Sequence, residues 1–347
     1  MTMIGIDVHL KHSAFAYLNP ATGEIGDGTF DTCRDDLLRK LQPLERPWIV
    51  AVEACRQSPA LCKWLLELDA QIHLVDAETL HAYAKLRKAK TDVKDAVMLR
   101  DLLVKGELPE CYLATPEVED RRVLSRQQRS LKQQATKYCN SLRSNFVHSG
   151  LEITLGRLDS KIMAEQMPRL IEQLPTRARR ITAQQDWELL QAVYRAIKQI
   201  ETEIKAQVKQ SPIASALAKL PGIGPIIAFA LWAEIGEIER FESAKQVCSY
   251  AGVVPRVSRS GNFSATGALP KRCNKHLRHI IVLAAQCAAR CNKSNKAKEE
   301  YLRIKARWGC NTGKIAAARR ILGAVFWLWR ATNDAAAKAA RVAAAVT

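Results

Sequence analysis

Four acidic residues in the first hundred positions are the side chains of this sequence best suited to chemistry. Asp7 lies inside a run of apolar residues, Glu53 ends a second apolar run, and Asp92 and Asp95 are three residues apart. A carboxylate in a buried strand is costly unless a cation neutralises it. Carboxylate oxygens are ligands that Mg²⁺ prefers, and a two-metal site can cut a phosphodiester bond. The pattern therefore predicts a site for Mg²⁺, with Mn²⁺ as a substitute, although an Asp-x-x-Asp pair alone is typical of a solvated helix surface.

The elements that must position these residues are predicted to form a mixed α/β sheet in residues 1–112. Strands come first and then alternate with helices, which is typical of such sheets. The predicted strands cover residues 3–8, 13–18, 48–53 and 71–76, with a further one starting near residue 29. The predicted helices cover 34–42 and 58–69, and a third one carries Asp92 and Asp95 and runs to about residue 105. Asp7 and Glu53 then lie on strands, and Asp92 and Asp95 share one face of a helix.

The rest of the chain is predicted to be helical. Residues 113–212 contain two long helices, 117–147 and 183–209, which we expect to form an antiparallel hairpin or coiled coil for dimerisation, with an irregular tip at 150–175. Residues 213–332 read as a mainly α C-terminal domain with helices at 226–235, 243–251, 273–291, 295–307 and 312–331 and a loop at 253–270. We expect the Ala-rich tail, residues 333–347, to fray.

The charge of the chain favours a nucleic-acid partner. The formal net charge is +18, and residues 251–330 contain 17 Lys and Arg against only Glu299 and Glu300. A strongly basic region of this kind is typical of proteins that bind the phosphate backbone, although a basic surface can also serve solubility. The candidate contacts are Arg122, Arg126, Arg129, Arg256, Arg259, Lys271, Arg272, Lys275 and Arg278.

The segment Pro221-Gly222-Ile223-Gly224 predicts the turn of a helix-hairpin-helix motif. Gly222 and Gly224 would let the backbone approach a phosphate, and the following helix would present its first N–H groups to it. A plain turn between two helices is the alternative.

A loop rich in serine and arginine is the candidate for a nucleophile. Ser258, Ser260 and Ser264 lie beside Arg256 and Arg259 in this loop. A serine ester with a DNA phosphate would conserve the energy of the broken bond, so that rejoining needs no ATP. Spacing alone does not choose among the three serines, and a solvated basic loop is the alternative.

Cysteine usage and hydropathy suggest a location. The ten cysteines include no Cys-x-x-Cys pair, which argues against a zinc knuckle and favours a reducing compartment. No signal peptide is recognisable, and no apolar run reaches the ~18 residues of a membrane span. We expect a bacterial cytoplasmic protein.

Several of these motifs together resemble one family. The N-terminal matches are Gly5-Ile6-Asp7-Val8, Val52-Glu53-Ala54 and Lys90–Ala96, and the C-terminal matches are Leu220–Gly224, Ala251–Arg256 and Ser260-Gly261. The chain resembles the transposases of the insertion-sequence one-ten family and its eleven-eleven branch, which are related to Piv-type DNA invertases. Members have a RuvC-like Asp-Glu-Asp-Asp domain and a C-terminal transposase domain.

The resemblance implies specific roles. It implies metal ligands at Asp7, Glu53, Asp92 and Asp95, and it selects Ser260 as the nucleophile because this serine follows the Ala-Gly-x-x-Pro-Arg segment and precedes a glycine. It also implies double-stranded DNA as donor and target, a bridge (seeker) RNA as guide, and a homodimer that assembles into a tetramer with composite active sites. The family commonly has Thr or Ser and then Gly after the glutamate, whereas this chain has Ala54-Cys55-Arg56-Gln57.

These observations predict a Mg²⁺-dependent DNA transposase that cuts and rejoins strands through Ser260. Two other functions remain open at this point. One is a hydrolytic RuvC-like junction nuclease, in which water is the nucleophile and Ser260 only contacts phosphate. The other is a non-catalytic architectural protein, which the carboxylates in apolar runs disfavour.

Overall fold

The computed structural model describes residues 1–84, 91–151, 156, 158–260 and 263–346. At 84, 257–260, 263–266, 337 and 339–346 this description covers the backbone alone. Within it the chain forms two compact units, Met1–Ala114 and Thr115–Thr347. The predicted boundary near residue 212 falls inside the second unit, where α-helices on both sides of it share a core.

The first unit is a five-stranded sheet with helices. Its strands are β1 (Thr2–Asp7), β2 (His12–Leu18), β3 (Ile25–Asp31), β4 (Trp48–Glu53) and β5 (Gln71–Val75), and its helices are α1 (Arg34–Leu41), α2 (Ser58–Glu67), α3 (Ala77–Ala84) and α4 (Asp92–Lys105). The strand order is β3-β2-β1-β4-β5. β2 is antiparallel to both β1 and β3, whereas β1, β4 and β5 run parallel. The mixed α/β sheet predicted from the sequence is confirmed.

Alternation and apolar runs explain these strands. β1 and β4 are central in the sheet and almost continuously apolar, as expected of strands covered on both faces. Ile4, Ile6, Val50 and Val52 are fully buried in one core with side chains of α1 and α2. Ala51 faces the other core, which includes Leu99 of α4. The sheet therefore carries packed helices on both of its faces.

The second unit is mostly helical. Its helices are α5 (Pro116–His148), α6 (Lys161–Glu172), α7 (Arg177–Gln210), α8 (Pro212–Leu217), α9 (Pro225–Ile235), α10 (Ala244–Tyr250), α11 (Lys275–Arg290) and α12 (Lys296–Val346), and a hairpin is formed by β6 (Val257–Ser260) and β7 (Phe263–Thr266). α5 and α7 are antiparallel, as the hydrogen bonds Gln128–Glu201 and Ser141–Asp186 show. The helical hairpin predicted from the sequence is therefore present.

Three details of the prediction are wrong. The expected irregular tip contains α6, whose Met163, Met167 and Ile171 are spaced by four residues and buried against α5 and α7. The loop predicted at 253–270 contains the β6–β7 hairpin. The last helix does not end at residue 331 before a fraying tail, because α12 continues to Val346 after a break at Gly309, where φ is 82°.

Candidate metal centre

The ends of two parallel strands place the first two carboxylates side by side. β1 and β4 are neighbours, and their register pairs Ile6 with Val52. Asp7 and Glu53 are the next residues and the last of their strands, so both stand at the same edge of the sheet. Asp7 is only 5% exposed, and Glu53 is partly buried. Parallel pairing alone therefore brings together two acids that are 46 positions apart in the chain.

The beginning of α4 supplies the other two carboxylates. The Thr91 side chain accepts a hydrogen bond from the backbone N–H of Lys94 at 3.3 Å and caps the helix. Asp92 and Asp95 then occupy the first turn. Carboxylates are favoured there because the free N–H groups give a helix N-terminus a partial positive charge. The local sequence thus fixes where the helix starts and which charges it presents.

Gly5 allows α4 to lie directly against β1. A Cβ at this position would overlap the carbonyl oxygen of Ala96 and would stand 2.5 Å from the backbone nitrogen of Arg100. Small side chains continue the contact, since Ala14, Ala16 and Ala96 form a buried cluster. The helix therefore approaches the sheet more closely than a larger residue would permit, and Asp92 and Asp95 come to the end of β1.

A cavity of about 280 Å³ lies where these elements meet. Three of the predicted ligands, Asp7, Glu53 and Asp95, line it, together with Val8, His9, Cys55, Gln57, Leu80, His81 and Met98. Asp92 is close to the same cavity because it contacts His9, which lines it. The Nε2 of His9 is 3.2 Å from Asp7 Oδ2 and 3.4 Å from Asp92 Oδ1. One ligand atom each of Asp7, His9 and Asp92 lie within 4.8 Å of one another. The structure thus brings all four predicted carboxylates to one end of the first unit.

The chemistry of this donor set fits a divalent ion. Like charges this close destabilise one another unless a cation lies among them. Carboxylate oxygens suit hard ions such as Mg²⁺, which keep part of their water shell and bind through a few carboxylates. The cavity has room for an ion with such waters, because each water in the liquid takes up about 30 Å³.

The turn after Glu53, where the chain departs from the family pattern, is fastened by Ser58. The Ser58 hydroxyl donates to the carbonyl oxygen of Glu53 at 2.5 Å and accepts from the backbone N–H of Cys55 at 2.7 Å. The Cys55 thiol points to the carbonyl of Val8 at 3.6 Å. Although residues 54–57 differ from the family pattern, Ser58 still connects the end of β4 to the start of α2 by hydrogen bonds.

The candidate nucleophiles lie in the β6–β7 hairpin of the second unit. Ser258 and Ser260 are on β6, and Ser264 is on β7. Backbone bonds between Arg256 and the chain at 267–268 close the base of the hairpin. The side chains of these serines and of Arg259, together with Gly261, lie outside the described residues. Ser260 as nucleophile therefore stays a prediction.

The glycine turn before α9 has a packing role that the sequence did not reveal. Gly222 has a φ of 79°, and a Cβ there would stand 2.5 Å from the carbonyl oxygen of Ala284 and 2.6 Å from the nitrogen of Ala288, both on α11. Gly224 caps α9, and a Cβ there would meet nothing within 4 Å. Gly222 is thus required by a helix contact, and only Gly224 leaves open space for a ligand.

Glu234 on α9 is the most deeply buried charge in the described part of the second unit. It is fully buried, and Arg126 of α5 grips both of its oxygens at 2.9 and 3.0 Å. Asn274 donates a further hydrogen bond to it at 2.7 Å. Burial alone would raise the pKa of Glu234, but the hydrogen bonds from Arg126 and Asn274 and the charge of Arg126 hold it below its usual value. Sequence reasoning missed this residue.

Two arginines expected to contact nucleic acid therefore have protein partners. Arg122 is buried and donates to the carbonyl oxygens of Ala233 and Glu234 at 3.2 and 3.4 Å. Arg126 is engaged by the Glu234 carboxylate as described. Because Arg122 is buried in these contacts, we no longer expect it to contact DNA. Arg126 is about half exposed and stays a predicted contact, but leaving Glu234 without this cation would cost several kcal/mol.

His276 of α11 belongs to the same network. Its Nδ1 accepts from Arg129 at 3.1 Å, which leaves the proton on Nε2 for Ser125, also at 3.1 Å. Burial lowers the pKa of His276 to about 4, against the opposing effect of Glu234. The neutral imidazole is therefore the form that fits, and Arg129 is a third arginine of α5 held by the protein.

The remaining basic candidates differ in exposure. Lys271, Arg272, Lys275 and Arg256 are exposed. Arg278 is half-buried and donates to the carbonyl oxygens of Ala251 and Pro270, so it fixes the chain before α11. The exposed residues stay predicted nucleic-acid contacts, and Arg278 has a structural task.

Comparison with known proteins finds two family models that match this chain. A family model described as "DEDD_Tnp_IS110: Transposase" matches residues 4–148, and one described as "Transposase IS116/IS110/IS902 family" matches residues 214–301. The chain belongs to this family of transposases. The first match contains all four carboxylates, and the second contains Ser260 and the glycine turn.

Individual relatives agree with the family. The chain is 26% identical to the transposase for insertion sequence element IS1111A of Coxiella burnetii, over 78% of this chain and 74% of the relative. It is 25% identical to a probable family 20 transposase of Pseudomonas aeruginosa, over 82% and 83%. It is 27% identical to the transposase for IS1328 of Yersinia enterocolitica, over 70% of each. Transposases cut and rejoin DNA, so this chain is an enzyme of that class.

The helices of the described residues are too short or too polar for a membrane span. The same residues include all ten cysteines, each of which is free.

Proposed function

We propose that the chain is a Mg²⁺-dependent transposase in which Asp7, Glu53, Asp92 and Asp95 hold the metal and Ser260 is the nucleophile. The observation that carries the metal site is the meeting of the four carboxylates at one edge of the sheet. The strand order and directions support a RuvC-like fold for the first unit. The bound metal would supply charge that stabilises the transition state at the scissile phosphate.

The residues of this chain then have defined tasks. Asp7, Glu53, Asp92 and Asp95 would orient the ion and neutralise it. The Ser260 oxygen attacks phosphorus, a phosphoserine bond forms, and the bond to the leaving DNA oxygen breaks. Attack of a free DNA hydroxyl on the phosphoserine reverses the step and releases serine. Arg256 and Arg259 are the cations nearest in sequence that would stabilise the developing negative charge.

A covalent adduct tests the nucleophile. A DNA substrate nicked so that the leaving strand diffuses away would trap protein on DNA, and peptide mass spectrometry would locate the link at Ser260. The adduct disappears in Ser260→Ala and persists in Ser258→Ala and Ser264→Ala. Normal cutting by Ser260→Ala without any adduct would instead establish the hydrolytic nuclease, for which the acidic site alone suffices.

The wider assembly is part of the same proposal. The basic C-terminal region supports binding of donor and target DNA and of a guide RNA. Gly224 at the start of α9 would serve a helix-hairpin-helix contact with phosphate. Exposed apolar side chains on α5 and α7, namely Val123, Val147, Ile181 and Leu189, support a homodimer through these helices that assembles further into a tetramer. Sequencing RNA that copurifies with the protein tests the guide, and light scattering tests the stoichiometry.

A further inference from the structure

His9 stands among the metal-binding carboxylates although it is not one of the four acids. It follows β1 by two residues, and its Nε2 lies between Asp7 Oδ2 at 3.2 Å and Asp92 Oδ1 at 3.4 Å. Asp7 comes from the sheet and Asp92 from α4. The imidazole therefore spans the two elements that carry the ligands, and it also lines the cavity.

The spacing of these atoms is that of ligands around one ion. Neighbouring ligands of an octahedral ion with bonds of about 2.1 Å are about 3 Å apart. The two measured separations, 3.2 and 3.4 Å, exceed this value by a few tenths of an ångström. An ion could therefore replace the proton of His9 Nε2 and contact this nitrogen, Asp7 Oδ2 and Asp92 Oδ1. Only small movements of the three side chains would be needed.

The backbone of His9 is held in place by two hydroxyl groups. Its N–H donates to Ser13 Oγ at 3.3 Å, and its carbonyl accepts from Thr32 Oγ1 at 2.8 Å. The two hydroxyls are also 2.7 Å from each other, and Ser13 is buried. This clamp fixes the turn after β1, so the imidazole is presented to the carboxylates by a rigid support.

We propose that His9 is a nitrogen ligand of the divalent ion, in addition to the four carboxylates. The proposal rests on the metal site of the proposed function and concerns which ion that site prefers. Mg²⁺ favours oxygen, whereas imidazole binds first-row transition ions more strongly. His9 therefore shifts the preference of the site from Mg²⁺ toward ions such as Mn²⁺.

Pulsed electron paramagnetic resonance of Mn²⁺ bound to the purified full-length chain tests this directly. We expect modulation from a directly coordinated ¹⁴N, and its replacement by a ¹⁵N pattern in protein made with ¹⁵N-histidine. The modulation disappears in His9→Ala and in the milder His9→Asn. It persists in His12→Ala, a matched control at the start of β2, whose partner is Asp31 at 2.7 Å.

His81 is the other histidine lining the cavity, so it needs its own variant. We expect His81→Ala to keep the nitrogen signal, and its loss there but not in His9→Ala would overturn the assignment. Bound Mn²⁺ without nitrogen modulation would also overturn it while leaving the carboxylate site intact. Failure of the chain to bind Mn²⁺ or Mg²⁺ at all would instead sink the proposed function.

Affinity gives a second readout. Loss of a ligand or of its support commonly weakens metal binding by about 10- to 100-fold. We expect His9→Ala to lose at least about tenfold in Mn²⁺ affinity and distinctly less in Mg²⁺ affinity. An equal loss for both ions would show that the imidazole only organises the carboxylates.

Discussion

Two buried carboxylates of this protein meet opposite surroundings. Glu234 in the second unit is fully buried and gripped by Arg126 and Asn274. Asp7 in the first unit is nearly as buried, yet it shares a cavity with Glu53 and Asp95. The same chemical group is thus paired with an arginine in one place and gathered with further acids and with His9 in the other.

Under the proposed function, this difference separates a structural charge, Glu234, from a metal-binding one, Asp7. A buried ion pair loses several kcal/mol when one partner is removed, because the other charge stays behind. A cluster of acids instead gains when one charge is removed and no metal is present. Substitutions at the two places should therefore move stability in opposite directions, and only one of them should abolish the chemistry.

Asp7→Asn should have the largest effect on activity. We expect DNA cleavage to fall by at least about 100-fold, because a charge that orients the ion at the phosphate is lost. The melting temperature without divalent ions should stay equal or rise. Cleavage assays and calorimetry measure both, with Asp27→Asn on exposed β3 as the control. A strongly destabilised Asp7→Asn would mean that this carboxylate serves the fold.

Gly5→Ala should disturb the same site through the backbone. A methyl group would overlap α4, and such overpacking costs up to about 3 kcal/mol when the backbone must move. Urea denaturation should show this loss, and Mn²⁺ titration should show weaker binding as Asp92 and Asp95 shift. Gly224→Ala, where a Cβ meets nothing within 4 Å, is the comparison. If Gly5→Ala is stable and keeps its metal affinity, the close approach of α4 to β1 is not needed to position Asp92 and Asp95.

Glu234→Gln should show the opposite behaviour to Asp7→Asn. We expect a loss of about 2 kcal/mol in the free energy of unfolding, because the Arg126 guanidinium, which is about half exposed, stays partly hydrated. The exposed Glu237→Gln on the same stretch of chain should change little. If both variants unfold alike, the network does not stabilise the second unit.

The pH dependence of stability should report on His276. Its folded pKa of about 4 lies below the unfolded value of 6.5, so the unfolded state binds more protons between these values. Stability is then full above about pH 6.5 and falls as the pH drops toward 4, by about 1 kcal/mol between pH 7 and pH 5.5. His276→Gln should flatten this part of the curve in urea denaturation. Glu234, whose pKa is lowered, adds a loss only below its unfolded value near 4.5.

The sequence predicted the acidic site better than the buried network for a physical reason. Asp7 lies in an apolar run and Glu53 ends one, so a few neighbouring residues are enough to mark each of them as an unusual carboxylate in a predicted strand. Glu234 also interrupts an apolar helix, but its partner Arg126 is 108 positions away and looks like any basic surface residue. His9 was missed because a single histidine after a strand has no distinctive pattern. Only the fold shows which distant charges meet.

Other errors have similar causes. The strands of the β6–β7 hairpin are only four residues long, and β6 reads VSRS, with a single apolar residue, so the apolar pattern is too short to indicate a strand. In α6 the residues Met163, Met167 and Ile171 have helical spacing, but the helix also contains Pro168, a residue that is disfavoured in helix interiors. Gly222 suggested a phosphate contact, whereas its actual neighbour is the backbone of α11. The sequence does not show whether a glycine lies against a ligand or against another helix.

The parallel register of β1 and β4 has a consequence for how the gene can change. Deleting or inserting one residue within β4 would turn Glu53 to the opposite face of the sheet, because successive side chains alternate. Two residues would restore the face but displace the carboxylate by about 6.6 Å along the strand. Neither change keeps Glu53 beside Asp7. We therefore expect insertions and deletions to be tolerated in the turns of this unit and not within β4.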